Sequence, residues 1–169
     1  AHLAWHQSPA EETDGIHSVI RRRGNDVYYT KLILPLDAEL MILSTNTTPT
    51  AVSRGESGII VDMTVYNAGT QRALINNIGL KFTGTADRTS EYNVTPDPGN
   101  PTEINPGASE VFRYYVDVSV TATVEHIEIG GFVEGEDYYS GNPTSDYTVD
   151  SPDSWDVLAD ASLVIDSIV

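Results

Sequence analysis

The sequence predicts an all-β sandwich, and three observations carry that prediction. Val, Ile, Thr and Tyr recur in short alternating runs, and alternation places successive side chains on opposite faces of a strand. Clusters of Gly, Pro, Asn and Asp separate the runs and supply turns. No apolar stripe at i, i+3, i+4 and i+7 is sustained, so amphipathic helices are not expected.

The elements follow in order. Residues 1–15 read as an extended arm. Residues 16–20 and 27–34 flank Arg21-Arg22-Arg23-Gly24-Asn25-Asp26 and predict a hairpin around a Gly-Asn turn. The arginine triplet is expected to be part of a solvated turn; the alternative is a basic patch that docks on the acidic end of a neighbouring copy. A first sandwich strand starts after Asp37. Thr48-Pro49-Thr50 and Arg54-Gly55-Glu56 link it to the clearest run, residues 58–67. There Ile59, Val61, Met63 and Val65 share one face, and Asp62, Thr64 and Tyr66 take the other.

Residues 73–82 repeat the rule with Leu74, Ile78, Leu80 and Phe82. Two Pro-rich links, residues 96–101 and Asn105-Pro106-Gly107, read as loops because proline cannot donate to a central ladder. In residues 109–120, Phe112, Tyr114, Val116, Val118 and Val120 face one way, and Arg113 and Asp117 the other. A weaker strand, residues 125–133, carries Gly130-Gly131, which suggests a bulge or bend. Short strands with such turns predict a sandwich of about seven strands.

One internal match stands out. Asp37-Ala38-Glu39-Leu40-Met41-Ile42-Leu43-Ser44 returns as Asp160-Ala161-Ser162-Leu163-Val164-Ile165-Asp166-Ser167, an offset of 123 residues (160 less 37). That spacing suits one sandwich per repeat. The domains expected are therefore an arm and hairpin over 1–36, a sandwich over 37–159, and over 160–169 the first strand of a following repeat or a donated strand.

Residues 38–42, Thr48-Pro49-Thr50-Ala51-Val52, Arg54-Gly55-Glu56 and the run from Val61 to Thr70 resemble a CARDB-type (cell-adhesion-related) immunoglobulin-like repeat. Ile104-Asn105-Pro106-Gly107 followed by Phe112-Arg113-Tyr114 resembles that family's Pro-Gly turn before an apolar strand. The resemblance covers roughly residues 37–160. It implies an immunoglobulin-like sandwich of seven strands in an extracellular bacterial or archaeal protein, serving in adhesion or as a stalk, with neighbouring repeats or identical subunits as partners.

Composition narrows the chemistry. The net charge of −16 argues against nucleic acid and anionic membrane as partners. No run of apolar residues is long enough for membrane insertion as a helix. With no cysteine, thiolate metal sites and disulfides are excluded. No motif ties His2, His6, His17 or His126 to a nucleophile, so the sequence predicts no enzyme. A zinc site built on His2 and His6 would need a helix, of which the arm gives no sign, and further ligands.

Calcium is the one cofactor the composition suggests. Glu134, Glu136, Asp137, Asp150 and Asp153, with Asp146 and Asp156 nearby, fall in one loop-rich stretch, and calcium takes carboxylate and carbonyl oxygens on flexible loops. Asp87 and Asp97 lie in a second loop region. The competing reading is a solvated acidic surface.

Other candidates follow from residue type. Asn46 and Asn93 head glycosylation sequons. Lys31 or Lys81 with Asn76 or Asn77 would be needed for an isopeptide link. Tyr138, Tyr139, Tyr147 and Trp155 form either a platform for surface glycans or packing at a domain junction. Leu163, Ile165 and Ile168 would enter a neighbour's sheet if the chain polymerised by strand exchange. The expected function is an extracellular structural or adhesive module; the alternatives are a carbohydrate-binding module and a filament subunit.

Overall fold

Alternation in the sequence becomes alternation in burial. The computed structural model describes residues 16–23, 26–33 and 37–159. Contacts divide the chain into two units, Ala1–Leu36 and Asp37–Val169. In the first, β1 (Ile16–Arg23) pairs antiparallel with β2 (Asp26–Ile33). Arg21, Arg22 and Arg23 lie within β1, opposite Tyr28, Val27 and Asp26, rather than in a turn. The register leaves only Gly24-Asn25 to connect the strands, which is all a two-residue hairpin loop requires. Those two residues, the arm over 1–15 and the segment 160–169 lie outside the described residues.

The second unit is an all-β sandwich, as expected. Its strands are β3 (Leu40–Thr47), β4 (Ala51–Ser53), β5 (Ile59–Asn67), β6 (Ala73–Thr83), β7 (Tyr92–Pro96), β8 (Glu103–Ile104), β9 (Ser109–Val118), β10 (His126–Asp137), β11 (Pro143–Asp146), β12 (Val149–Ser151) and β13 (Asp153–Leu158). One sheet has the order β12-β3-β5-β9-β7 and the other β4-β13-β10-β6-β8, with β11 also on β10. Among the described residues no α-helix occurs; a single 3-10 turn spans Thr89–Glu91.

The pieces outnumber the roughly seven strands of the simplest sandwich because two long strands are each split between the sheets and the short β8 and β11 are added at β6 and β10. β3 belongs to the first sheet and its continuation β4 to the second. β12 and β13 repeat the switch. Pro49 and Pro152 stand at the two breaks, where a missing N–H costs no ladder bond. The split strands run side by side, with β12 parallel to β3 and β13 parallel to β4.

The core forms where the inner faces meet. Ile59, Val61, Met63 and Val65 are buried on β5, and Phe112, Tyr114, Val116 and Val118 on β9. Phe82, Tyr92 and Trp155 pack against one another, with ring centroids 4.1 Å apart for Phe82 and Tyr92 and 5.7 Å for Phe82 and Trp155. Burial of these apolar surfaces is the main stabilising term.

Several sequence expectations are corrected. Val120 lies beyond β9 and is 72% exposed. On β6 the inward face changes parity, from Ala73 and Ile75 to Ile78, Leu80 and Phe82. Asn77 lies opposite Glu134 and Ile75 opposite Gly135, so Asn76 is the extra residue of a bulge, and Leu74 does not share the Leu80 face. Gly130 and Gly131 form no bulge; they continue the ladder opposite Lys81 and Leu80. Gly131 faces inward, and a Cβ there would collide with Met63 Sδ from the opposite sheet. The residues after β10, read as loop-rich, contain three strands.

Gly131→Ala is therefore expected to destabilise the chain by about 2 kcal/mol in chemical denaturation. A change smaller than about 0.5 kcal/mol would mean that Met63 moves aside at little cost.

Candidate functional site

The acidic stretch was the main sequence candidate, and its geometry is best built from the strand it meets. β3 pairs with β5 along one edge. Its other edge meets only the short β12, at Val149 opposite Ile42 and Ser151 opposite Ser44. The backbone N–H groups that this leaves need acceptors, and side chains supply them. Ala38 N–H donates to Asp137 Oδ2 (3.0 Å), Leu40 N–H to Thr144 Oγ1 (3.0 Å), Ile42 N–H to Asp146 Oδ2 (2.8 Å) and Thr47 N–H to Asp153 Oδ2 (2.7 Å). Glu39 N–H donates to Asn67 Oδ1 (3.1 Å). In return, Asp153 N–H donates to Thr45 Oγ1, whose hydroxyl donates to Ile129 O. The arrangement is a clasp: three carboxylates and a threonine from β10 to β13 hold the free edge of the first strand.

Asp137 is its anchor. It is the last inward-facing residue of β10 and is 2% exposed. Burial works against its charge, but N–H groups of Ser140, Tyr139 and Ala38 outweigh that cost and hold its carboxyl below the ordinary value of 3.8. Asp37 extends the contact by accepting from Asn142 Nδ2 and Ser140 Oγ.

The remaining predicted calcium ligands scatter. Glu134 accepts from Tyr147 Oη and from Asn77 Nδ2, and those two bonds hold its carboxyl below its ordinary value. Glu136 lies opposite Leu74 and Pro143 in the ladder, and Asp150 is exposed on β12. Asp87 and Asp97 each accept a backbone N–H two residues on, from Thr89 and Gly99. Among the described residues no group of three or more His, Asp or Glu is placed to hold a metal ion. Within that stretch Asp137, Asp146 and Asp153 accept backbone N–H groups, whereas Asp150 is exposed and Asp156 pairs with His126.

The other candidates separate as well. Asn46 and Asn93 are exposed, so both sequons are accessible. Lys81 is exposed, with Nζ 5.5 Å from the Tyr147 ring centroid, and Asn76 and Asn77 are exposed too; a buried isopeptide triad does not form there. Trp155 is fully buried and cannot join a sugar platform. Tyr138 and Tyr139 remain exposed, with Arg72 stacked over Tyr138 at 3.7 Å. His126 pairs with Asp156 at 2.8 Å, and both side chains are more than half exposed. His2, His6, Leu163, Ile165 and Ile168 lie outside the described residues, and the side chain of His17 is not described.

The functional role of Thr144, Asp146 and Thr45 was missed from sequence, because an acceptor for an N–H more than a hundred residues away leaves no local pattern.

No protein-family model and no curated protein matches the sequence. Solved structures do resemble the chain. One, described as "AvmM Catalyzes Macrocyclization in Alchivemycin A Biosynthesis", is 11% identical, with a TM-score of 0.42, over 88% of this chain and 100% of that one. The seventh ScaB type I cohesin from Pseudobacteroides cellulosolvens is 11% identical, with a TM-score of 0.30, over 77% of this chain and 99% of that one. Neither likeness assigns a residue role or an activity to this chain. The first does correct one expectation. The sequence was read as that of no enzyme because motifs were missing; a solved structure aligned over 88% of this chain is described as catalysing macrocyclization, so missing motifs do not exclude an activity.

The clasp predicts an acid limb. Asp137 has a lowered carboxyl in the folded chain, so its contribution is complete above its unfolded value of about 3.9 and is lost as pH falls through the folded value. Asp137→Ala is expected to lower stability near neutral pH by about 3 kcal/mol. It is also expected to flatten the fall in stability below about pH 4, measured by urea denaturation across that range. An unchanged acid limb would show that Asp137 does not anchor the clasp.

Proposed function

We propose that residues 37–159 form a load-bearing structural or adhesive module of an extracellular surface protein or filament, joined in series to modules of the same kind. The observation that carries this reading is that the sandwich begins and ends at opposite poles. Asp37 lies beside Ser140 and Asn142, just past the C-terminal end of β10. Val157 N–H donates to Glu125 O, just before β10 begins. The twelve residues of β10 thus separate the two ends by roughly 35 Å. Units whose ends lie at opposite poles can be joined end to end.

The strand pairing suits a load along that axis. A pull on residues 37 and 159 draws β3–β4 one way and β12–β13 the other. These neighbours are parallel, so their hydrogen bonds, with those of Asp146 and Asp153, are sheared together rather than opened one by one. The CARDB-type resemblance and the recurrence of the first-strand sequence at 160–167 support the same reading. The exposed sequon residues Asn46 and Asn93 are compatible with an extracellular setting.

The chain has no cysteine, so two introduced thiols become unique handles for single-molecule pulling. With Leu36→Cys and Ala159→Cys, the module is expected to break in one step that releases roughly 400 Å of chain. The force should exceed that for Ser57→Cys with Thr121→Cys, handles at one end of the antiparallel β5–β9 pair that unzip it. Equal forces along the two axes would contradict the load-bearing reading.

A further inference from the structure

One residue separates the last strand from the second appearance of the first-strand sequence. β13 ends at Leu158, and Asp160 corresponds to Asp37. Every apolar position that recurs unchanged is one that the core buries, while the recurring Asp37 and Ser44 are exposed and half-buried. Ala38, Leu40 and Ile42 are 7%, 3% and 0% exposed, and return as Ala161, Leu163 and Ile165. The positions that change, Glu39, Met41 and Leu43, are exposed or half-buried. Leu43 is moreover the residue skipped where the register of β3 shifts against β5, and its counterpart is Asp166. This is the pattern of a strand made to lie on the same kind of core.

One buried position departs. Thr45 donates to Ile129 O and accepts from Asp153 N–H, whereas its counterpart is Ile168, which can do neither. In the β3 slot, Ile168 would leave both groups without partners. The segment therefore suits a core of its own better than displacement of β3 in this one.

The pole from which the chain leaves carries exposed apolar side chains. Val120, Val124 and Leu158 are 72%, 47% and 48% exposed. They belong to one end of the sandwich: Leu158 lies opposite Ser53, Gly55 N–H donates to Val118 O, and Val157 N–H to Glu125 O. Leu158 and Asp160 are two residues apart, a span of at most about 7 Å, so a body that starts at Asp160 has to begin against this surface.

We propose that Val120, Val124 and Leu158 form a docking face for a second sandwich whose first strand is residues 160–168. The proposal rests on the reading of the chain as modules in series. It gives the apolar end an occupant and makes the junction stiff rather than hinged.

The test is a chain in which residue 159 is followed by residues 37–169 in place of 160–169. Calorimetric melting should show both copies folded, with a midpoint at least about 3 °C above that of the original chain. Val120→Asp with Val124→Asp in the first copy should abolish that rise, and Leu158→Lys should do so independently. The Val pair should leave the original chain within about 1 °C. If both copies fold but the midpoint does not rise, or the rise survives these substitutions, the docking face is overturned and the serial arrangement stands. If the second copy does not fold when started directly after residue 159, the serial arrangement fails and the docking face with it.

Discussion

The structure depends on how the free edge of its first strand is held. An unpaired strand edge buried against a core is costly and, if exposed, is a template for unwanted pairing. Here β12 covers only a short part of that edge. The rest is closed by oxygens of Asp137, Thr144, Asp146 and Asp153, each donated to from a different backbone N–H. Hydrogen bonds to charged acceptors are shorter and stronger than neutral ones. They also fix the position of the segment that supplies them, so β11, β12 and β13 and the first strand order one another.

The clasp accounts for what the sequence concealed. β5 and β9 were legible because each buries one face, and period-two alternation reports that directly. β11 and β12 are short and polar, and what stabilises them is contact with a strand more than a hundred residues earlier. Their Ser, Thr and Asp residues look like loop residues for the same reason that they work here, since short polar side chains bond readily to backbone. The acidic cluster was visible, but its role was not. Carboxylates grouped in sequence are spread along one strand edge in space. The parity of β6 was misread because a bulge at Asn76 leaves no mark in composition. Packing was the favoured reading for Trp155, and its burial is written in the sequence, where Trp155 and Val157 alternate with Ser154 and Asp156.

The same geometry links fold to proposed role. Proline at both sheet switches lets two long strands pass from one sheet to the other side by side, and that crossing sends the chain out at the pole opposite its start. Any load carried through the module then crosses the parallel pairs and the aspartate contacts together. On the proposed reading, Asp146 and Asp153 join the two halves of the load path, and the apolar side chains at the far pole sit where a following body would bear.

The clasp itself is tested most directly by native-state hydrogen exchange. The amides of Leu40, Ile42 and Thr47 are predicted to exchange only through global unfolding, within about 1 kcal/mol of core amides such as those of Val61 and Phe112. If these three exchange through a local opening several kcal/mol below the global value, as frayed edges do, the side-chain oxygens do not hold the first strand and the clasp is not the constraint on which the fold depends.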